Sequence, residues 1–507
     1  MKGYTATPDI DIPAGFYPGQ LTVTITNNEP NSIIRYTTDG TNPTPASRLY
    51  GTPLTVASTS VIKAQAFSEV DNILPGKMAF ATYFIDEPQP TLPVFSVAAD
   101  DLLELAAGEG ELIPIGSLEY FDAEGNLETT SFGSLNRHGQ DSWVLDHRSL
   151  DWVSRDEMGY SKAVQAPLFN HTDRDEYQKF MFRNSGDDNY PAIDDGLHEG
   201  STHIRDEYVQ TLARMGGLKL DTRSVERVIV YLNGQYWGVY GMRDRPVDHD
   251  YTDYYYDQGK YDLQYLTTWG TTEVQYGGQK ALDDWINLRD FILDNDMSVE
   301  ENYEKAADSL NMVSLIDYFL VNSNVVAIDW LNYNTGWWRG LNPEGDHKKW
   351  GYILWDLDAT FDYYINYTGV PNTTPSALVC DIEEVSLQMD TFFNNSIDFP
   401  DTIIVADCIT VQDPDFPYDP ADSVLQIVMQ TDPFCCFSDF DEVCQSLYDE
   451  IAAGQGPGDD PGLENIPGNI GKHEKIFLKL IEESATFRNL YYGRYADLMN
   501  TTFSCEN

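Results

Sequence analysis

An aspartate, an asparagine five residues later and an Asp-x-Asp pair further on are the residues of this chain best suited to chemistry: Asp329-Trp-Leu-Asn-Tyr-Asn334, then Trp355-Asp356-Leu-Asp358. A carboxylate can orient a hydroxyl and accept its proton, an amide oxygen can hold a divalent cation, and a second carboxylate returning on the next strand completes the metal cage. Magnesium binds through one or two carboxylates plus substrate phosphates, so a sparse oxygen set is chemically sufficient for phosphoryl transfer. The surrounding residues predict one strand-turn-strand carrying all four side chains. Asp and Asn also cap helices and start turns, so the spacing alone leaves a purely structural role open.

These residues must be held by a large fold. At 507 residues with 42% hydrophobic and 13% aromatic content, the chain exceeds one ordinary core, and about two or three domains are expected. Against 31 Lys plus Arg stand 82 Asp plus Glu, a formal net charge of -51. Such a surface repels nucleic acid and anionic membranes, and suits solubility in a salty or cation-rich exterior. No apolar run is long enough to span a membrane, and the Met-Lys-Gly start lacks the apolar stretch of a signal peptide. All six cysteines, Cys380, Cys408, Cys435, Cys436, Cys444 and Cys505, fall in the last third. Their even count and loop-rich setting predict disulfides and an oxidising compartment; they fit no zinc pattern, and their pairing stays open.

Along the chain, residues 1–86 alternate in short strands, Leu21–Thr26, Ile33–Thr38, Val61–Ala66 and Ala79–Phe84, the pattern of an all-β immunoglobulin-like sandwich. Between the second and third lies Tyr36-Thr-Thr-Asp39-Gly40-Thr-Asn42-Pro43-Thr44, rich in tight-turn pairs. This segment resembles the C-terminal module of chitobiases and hexosaminidases, where the motif is mainly a folding device; the resemblance makes polysaccharide a candidate ligand. Residues 87–93, Glu-Pro-Gln-Pro-Thr-Leu-Pro, read as a semi-rigid linker.

The region 94–507 is mixed α+β. Strands are expected at Leu112–Ile115, Ser117–Phe121, Val225–Leu232 and Tyr236–Met242, with turns at Asp122-Ala-Glu-Gly125 and Asn233-Gly234. Helical periodicity marks Ser201–Met215, Gln279–Asn295 and Met312–Val325, and an amphipathic pair closes the chain from Lys472 to Asn500. An Asp-, Pro- and Cys-rich insertion occupies about 366–470. Strands first, then helices, then the acidic hairpin is the order of a two-lobed, kinase-like α+β domain.

Several pieces, taken in order, resemble the CotH-type spore-coat kinase family. They are Phe182-Arg183-Asn184-Ser-Gly186-Asp187-Asp188, Arg205-Asp206-Glu207-Tyr, Tyr231-Leu-Asn233-Gly234-Gln-Tyr236-Trp237-Gly238-Val-Tyr240, Arg243-Asp244-Arg245 and Trp355-Asp356-Leu-Asp358-Ala-Thr-Phe361. The resemblance implies ATP-dependent phosphorylation of Ser or Thr on secreted or cell-surface proteins, with Mg2+ or Mn2+. It makes Asp329 the catalytic base, Asn334 a metal ligand, Asp356 the metal-binding aspartate, and Asp358 a second ligand or its anchor. Where the family carries a phosphate-facing lysine, after a turn like Arg137-His138-Gly139-Gln-Asp-Ser142, this chain reads Asp146-His147-Arg148-Ser149. Arg148 is then the phosphate cation, with Arg183 the alternative and Glu207 the partner of either. That departure motivates a competing reading, a catalytically silent scaffold binding a surface polymer; transfer of AMP is a third. Tyr251, Tyr254–Tyr256, Trp269 and Trp285 line an adenine or peptide groove, or else pack the core.

Overall fold

The computed structural model describes residues 3–139, 143, 145–189, 201–269, 271–327, 330–331, 333–361, 425, 448 and 470–504. Asp329, all six cysteines, Gln140-Asp141-Ser142 of the glycine turn and almost all of the 366–470 insertion lie outside these residues. The chain divides into two units, Met1–Glu207 with Arg223–Tyr254, and Tyr208–Thr222 with Tyr255–Asn507.

In the first unit, strands β1 (Gly15–Tyr17), β2 (Ser32–Thr37), β3 (Arg48–Leu49), β4 (Ser60–Ser68) and β5 (Ala79–Ile85) form a sheet in the order β1-β5-β4-β2-β3. Two short ladders, Asp9–Ile10 with Ile25–Thr26 and Leu21–Val23 with Leu54–Val56, face it across Val23, Ile25, Val56, Ile62, Ala64 and Tyr83. This is the expected sandwich.

A closed barrel follows, built from β6 (Val94–Ala99), β7 (Ile115–Phe121), β8 (Leu127–His138), β9 (Ser149–Ser154), β10 (Lys179–Arg183), β11 (Val225–Leu232) and β12 (Gln235–Arg243). Its order is β6-β7-β8-β9-β10-β12-β11, closed by parallel pairing of β6 with β11. Period-two alternation fills the interior: Phe95 and Val97, Phe180 and Phe182, Val228 and Val230, Tyr240 and Met242 share one core. Helix α1 (Leu102–Ala107) adds Leu102, Leu105 and Ala106 to it. Asn233 (φ 49°) and Gly234 (φ 78°) make the left-handed turn that β11 and β12 need. The separate strand expected at Leu112–Ile115 does not form, and Ile115 instead opens β7: Pro114 has no N–H to donate, and its carbonyl accepts from Leu135 N at 3.0 Å.

Helix α2 (Arg205–Met215) starts four residues later than its periodicity predicts. Asp188, distant in sequence, accepts from the backbone N–H of Thr202, Ile204 and Arg205 at 2.7–2.9 Å and so fixes where the helix begins.

In the second unit, after α3 (His249–Tyr256), β13 (Leu263–Trp269), β14 (Thr271–Tyr276), β15 (Thr335–Gly340) and β16 (Gly351–Ile353) form a sheet in the order β14-β13-β15-β16. Around it stand α4 (Gly278–Asp294), α5 (Glu300–Ala307), α6 (Met312–Asn324), α7 (His473–Glu483) and α8 (Ala485–Asn500). Helix α6 is buried from Ser314 through Asn322, the signature of a central helix. Trp285, Trp337 and Trp350 meet around it, and Phe319 of α6 stacks on Phe477 of α7 at 4.3 Å. Asp317, fully buried on α6, is held by Arg494 of α8 through Nε at 2.5 Å and Nη2 at 2.8 Å and by Lys219 N at 2.7 Å.

Candidate active site

In the first unit the chemistry-bearing residues gather around the start of α2. Glu207 Oε2 stands 2.5 Å from Arg227 Nη2, and its Oε1 stands 3.4 Å from Arg243 Nη2. Gly241, opposite Arg183 in the β10–β12 register, makes room for that carboxylate: a Cβ there would lie 2.3 Å from Glu207 Oε1. Arg183 is buried at the end of β10 and adds its charge to the same cluster. Burial outweighs Arg227 and its neighbours and pushes the Glu207 carboxyl up to about 7. Beside it, Asp206 pairs with Arg243, both almost wholly buried.

Arg227 is not marked by any sequence motif, and Arg243 stands in the Arg243-Asp244-Arg245 motif without a role that the sequence assigns. The signal was present as charged residues interrupting apolar strands β11 and β12. The β11–β12 hairpin register sets Arg227 against Gly241 and Val225 against Arg243, and their ion pairs with Glu207 of α2 show that they converge.

Arg148 takes another position. Its Nη1 donates to Ala106 O at 3.1 Å, at the C-terminal end of α1, and to Asp146 O at 3.4 Å. The guanidinium lies 5.7 Å from the Trp143 ring. Among the described contacts it makes none with Glu207.

The Phe182–Asp188 motif is largely scaffold. Asn184 Oδ1 accepts from Ser149 Oγ at 2.7 Å and from Gly186 N at 2.9 Å, while its Nδ2 donates to His147 O at 2.5 Å. Asp188 then starts α2, and α2 delivers Glu207. His147 is pushed down to about 4 by burial and is neutral at pH 7; burial also lowers His138, against the opposing pull of Asp151.

His138 Nδ1 stands 3.2 Å from Asp151 Oδ1, and Arg245 Nη1 is 3.0 Å from Asp151 Oδ2. Burial alone would raise the Asp151 carboxyl, but Arg245 and His138 outweigh it and hold it at about 2, against 3.8 unperturbed. A depressed folded value means stability present above the unfolded value and lost as pH falls from about 4 to about 2. Asp151→Asn is therefore expected to cost roughly 2 kcal/mol at pH 7. In urea unfolding the gap from the parent should close as pH falls from 4 toward 2; a gap independent of pH would refute the assignment.

In the second unit the acidic hairpin is present, but its site residues flank it. Strands β15 and β16 pair with Gly336 opposite Ile353, so the start of β15 and the end of β16 lie at the same end of the sheet. Asn334 immediately precedes β15, and Asp356 and Asp358 follow β16. The strand expected before Asn334 does not form among the described residues; α6 runs to Asn324 and the chain then turns. Val326 (φ 53°), Leu331 (φ 72°), Asn334 (φ 51°), Asp356 (φ 57°) and Phe361 (φ 56°) are left-handed, which a strand forbids. Such a concentration of non-glycine residues in a costly region points from strain to function.

Neighbouring groups hold this geometry. Tyr318 Oη of α6 and Thr335 Oγ1 lie 3.0 Å apart, and Thr335 Oγ1 also donates to Tyr333 O at 3.1 Å, locking the turn that carries Asn334. Phe361 N donates to Val325 O at 2.7 Å, joining the far end of the Asp356 segment to the exit of α6. Asp358 is buried, and its Oδ1 accepts from Ala359 N at 3.0 Å.

Asp221 braces the hairpin. Its backbone bonds Tyr352 O at 3.1 Å and Leu354 N at 2.9 Å, two residues before Asp356. Its carboxylate accepts from Trp338 Nε1 at 2.6 Å and from Tyr256 Oη, with His347 Nε2 at 3.4 Å. Burial would raise this carboxyl; the bonds from His347, Tyr256 and Trp338 hold it below the usual carboxylate range. Of the aromatic residues considered for a groove, Trp285 is core, Tyr251 is buried and Tyr256 serves Asp221. Trp269 is half exposed and stands edge-on to Tyr333 at 5.5 Å, beside Asn334.

The residues that flank these strand ends, Asn334 with an amide oxygen and Asp356 and Asp358 with carboxylates, are of the kind that suits a hard oxygen-seeking cation. Among the described residues no group of three or more His, Cys, Asp or Glu forms a cage by protein alone. A magnesium or manganese ion completed by substrate phosphates asks for no such cage.

The family model for CotH kinase protein matches residues 136–395, slightly more than half of the chain. The chain belongs to the CotH kinase family. Residues 12–72 match the chitobiase/beta-hexosaminidase C-terminal domain, the module that precedes this CotH kinase's barrel. Among solved structures, a proinflammatory kinase of Helicobacter pylori, CtkA, is similar over 63% of this chain and 91% of its own, at 12% identity and a TM-score of 0.18. At that score the likeness carries no further argument. A search of curated proteins finds no match. Among the described residues no helix is long and apolar enough to cross a membrane.

Proposed function

We propose that this CotH kinase transfers the γ-phosphate of ATP to Ser or Thr hydroxyls of secreted or cell-surface proteins, using Mg2+ or Mn2+. The observation that carries the reading is the end of the sheet where Asn334 and Asp356, both left-handed, flank adjacent ends of β15 and β16. Asn334 and Asp356 would hold the cation, with Asp358 as a further oxygen donor or as the anchor of the segment. The bound cation supplies charge neutralisation on the phosphates. Asp329 accepts the proton of the substrate hydroxyl as its oxygen bonds to the γ-phosphorus and the bond to the ADP oxygen breaks.

In the first unit Arg183, beside Glu207, is the better supported phosphate cation, because Arg148 is engaged at the end of α1. A guanidinium can pair bidentately with phosphate where a lysine presents a point charge. The strongly acidic composition and the late cysteines support an exterior location.

A thermal-shift titration tests nucleotide use. With ATP and Mn2+ at about 100 times the dissociation constant, binding stabilises by about 2.7 kcal/mol, a shift of several degrees. No shift with ATP and Mn2+ at millimolar concentration would favour the silent scaffold instead.

A further inference from the structure

In strand β4 the order Val61-Ile-Lys63-Ala-Gln65-Ala alternates as though Lys63 and Gln65 faced water. Neither does: Lys63 is 0% exposed and Gln65 is 7% exposed. Lys63 Nζ crosses to the barrel and donates to Ala98 O of β6 at 2.6 Å, and to Asn42 Oδ1 at 2.9 Å. Asn42, from the module's hallmark loop, donates through Nδ2 to Ile115 O of β7 at 2.7 Å and through its backbone N to Asp100 Oδ1 at 3.2 Å. Gly40 of the same loop approaches so closely that a Cβ would lie 2.7 Å from Asn233 Oδ1 and 3.1 Å from the Ala98 Cβ.

The seam continues along β5. Thr82 N donates to Glu119 Oε1 of β7 at 3.2 Å, its hydroxyl donates to Glu119 Oε2, and it lies 2.7 Å from Ser96 Oγ of β6. Glu119 is 1% exposed. Burial pushes Lys63 down to about 7 and Glu119 up to about 7, as expected of groups sealed from water. Beyond them Phe16 and Phe84 of the module stack at 4.2 Å, and Phe84 meets Phe121 at 5.4 Å and Tyr231 at 4.8 Å in a core shared by both parts. Two bodies joined only by a flexible tether do not bury a lysine, a glutamate and four aromatic rings against each other.

We propose that residues 1–86 are a permanent docking module of the barrel, and that the Thr37–Thr44 loop is its gripping edge rather than a carbohydrate-binding face. The partner that fits this edge is the β6–β7 end of the chain's own barrel. The loop's internal bonds, Thr37 Oγ1 to Thr41 O at 2.6 Å and Thr41 Oγ1 to Asp39 Oδ1 at 2.6 Å, keep it folded and present Asn42 outward to Ile115. The proposal stands independently of the kinase reading.

The test is cleavage of the tether in the full chain. A protease site inserted between Pro88 and Gln89, both exposed, separates the two parts covalently without touching the seam. The fragments are expected to elute together in size-exclusion chromatography at micromolar concentration; separation into two folded fragments would overturn the proposal. Asn42→Ala with Lys63→Met in the cleaved protein should weaken association on the order of 100-fold. Association weakened less than about 2-fold would remove the gripping role from the loop. Binding of a chitin oligosaccharide to the uncleaved chain that Asn42→Ala abolishes would also overturn it.

Discussion

Asp356→Asn is expected to lower phosphoryl transfer by about 100- to 1,000-fold while leaving the fold intact. Asparagine is the informative replacement because Asp356 has φ 57°, a conformation that asparagine tolerates and alanine resists. The substitution keeps shape and backbone and removes one negative charge from the cation's oxygen set. Circular dichroism and the melting temperature should match the parent, and the affinity for Mn2+ with ATP should fall together with turnover. A variant that retains more than about one tenth of parental transfer would move the cation elsewhere.

Asp206→Ala is expected to have the largest effect on stability. It removes the nearest carboxylate from Arg243, a guanidinium that is 1% exposed in the barrel wall. Breaking a buried pair from one side costs about 3–5 kcal/mol, and the 3.4 Å contact with Glu207 favours the lower end. For a unit of this size that corresponds to a fall of about 6–12 °C in melting temperature. Replacing both partners, Asp206→Leu with Arg243→Met, should recover much of the loss, because an apolar pair leaves no buried charge to compensate. A single variant that melts within about 2 °C of the parent would show that the cluster is dispensable. The function follows the structure here: α2 carries Glu207, so loosening its first turn also loosens the group beside Arg183.

Local pattern made some of this legible. Val225–Leu232 and Gln235–Arg243 alternate with period two around Asn233-Gly234, and the structure returns those strands and that turn almost residue for residue. The helices Gly278–Asp294 and Met312–Asn324 lie within a residue of their periodicity at either end. What escaped depends on residues brought together from afar. Asp188 sets the start of α2 from seventeen positions upstream, and Arg227 and Arg243 of the β11–β12 hairpin meet Glu207 only because α2 is laid beside them. Lys63 looks like an outward-facing strand residue until the partner surface is known. Left-handed Val326 and Leu331 go against local preference, so no propensity rule announces them. The acidic residues were recognisable by type; that the strand ends they flank lie together is a matter of register.

The central claim is most directly tested by intact-mass spectrometry of the chain after incubation with ATP and Mn2+ and a Ser- and Thr-containing surface-protein substrate, alongside Asp356→Asn and Asp329→Ala. Substrate is expected to gain the mass of a phosphoryl group with the parent and essentially none with either variant. Addition of an adenylyl mass, or equal modification by all three proteins, would contradict it.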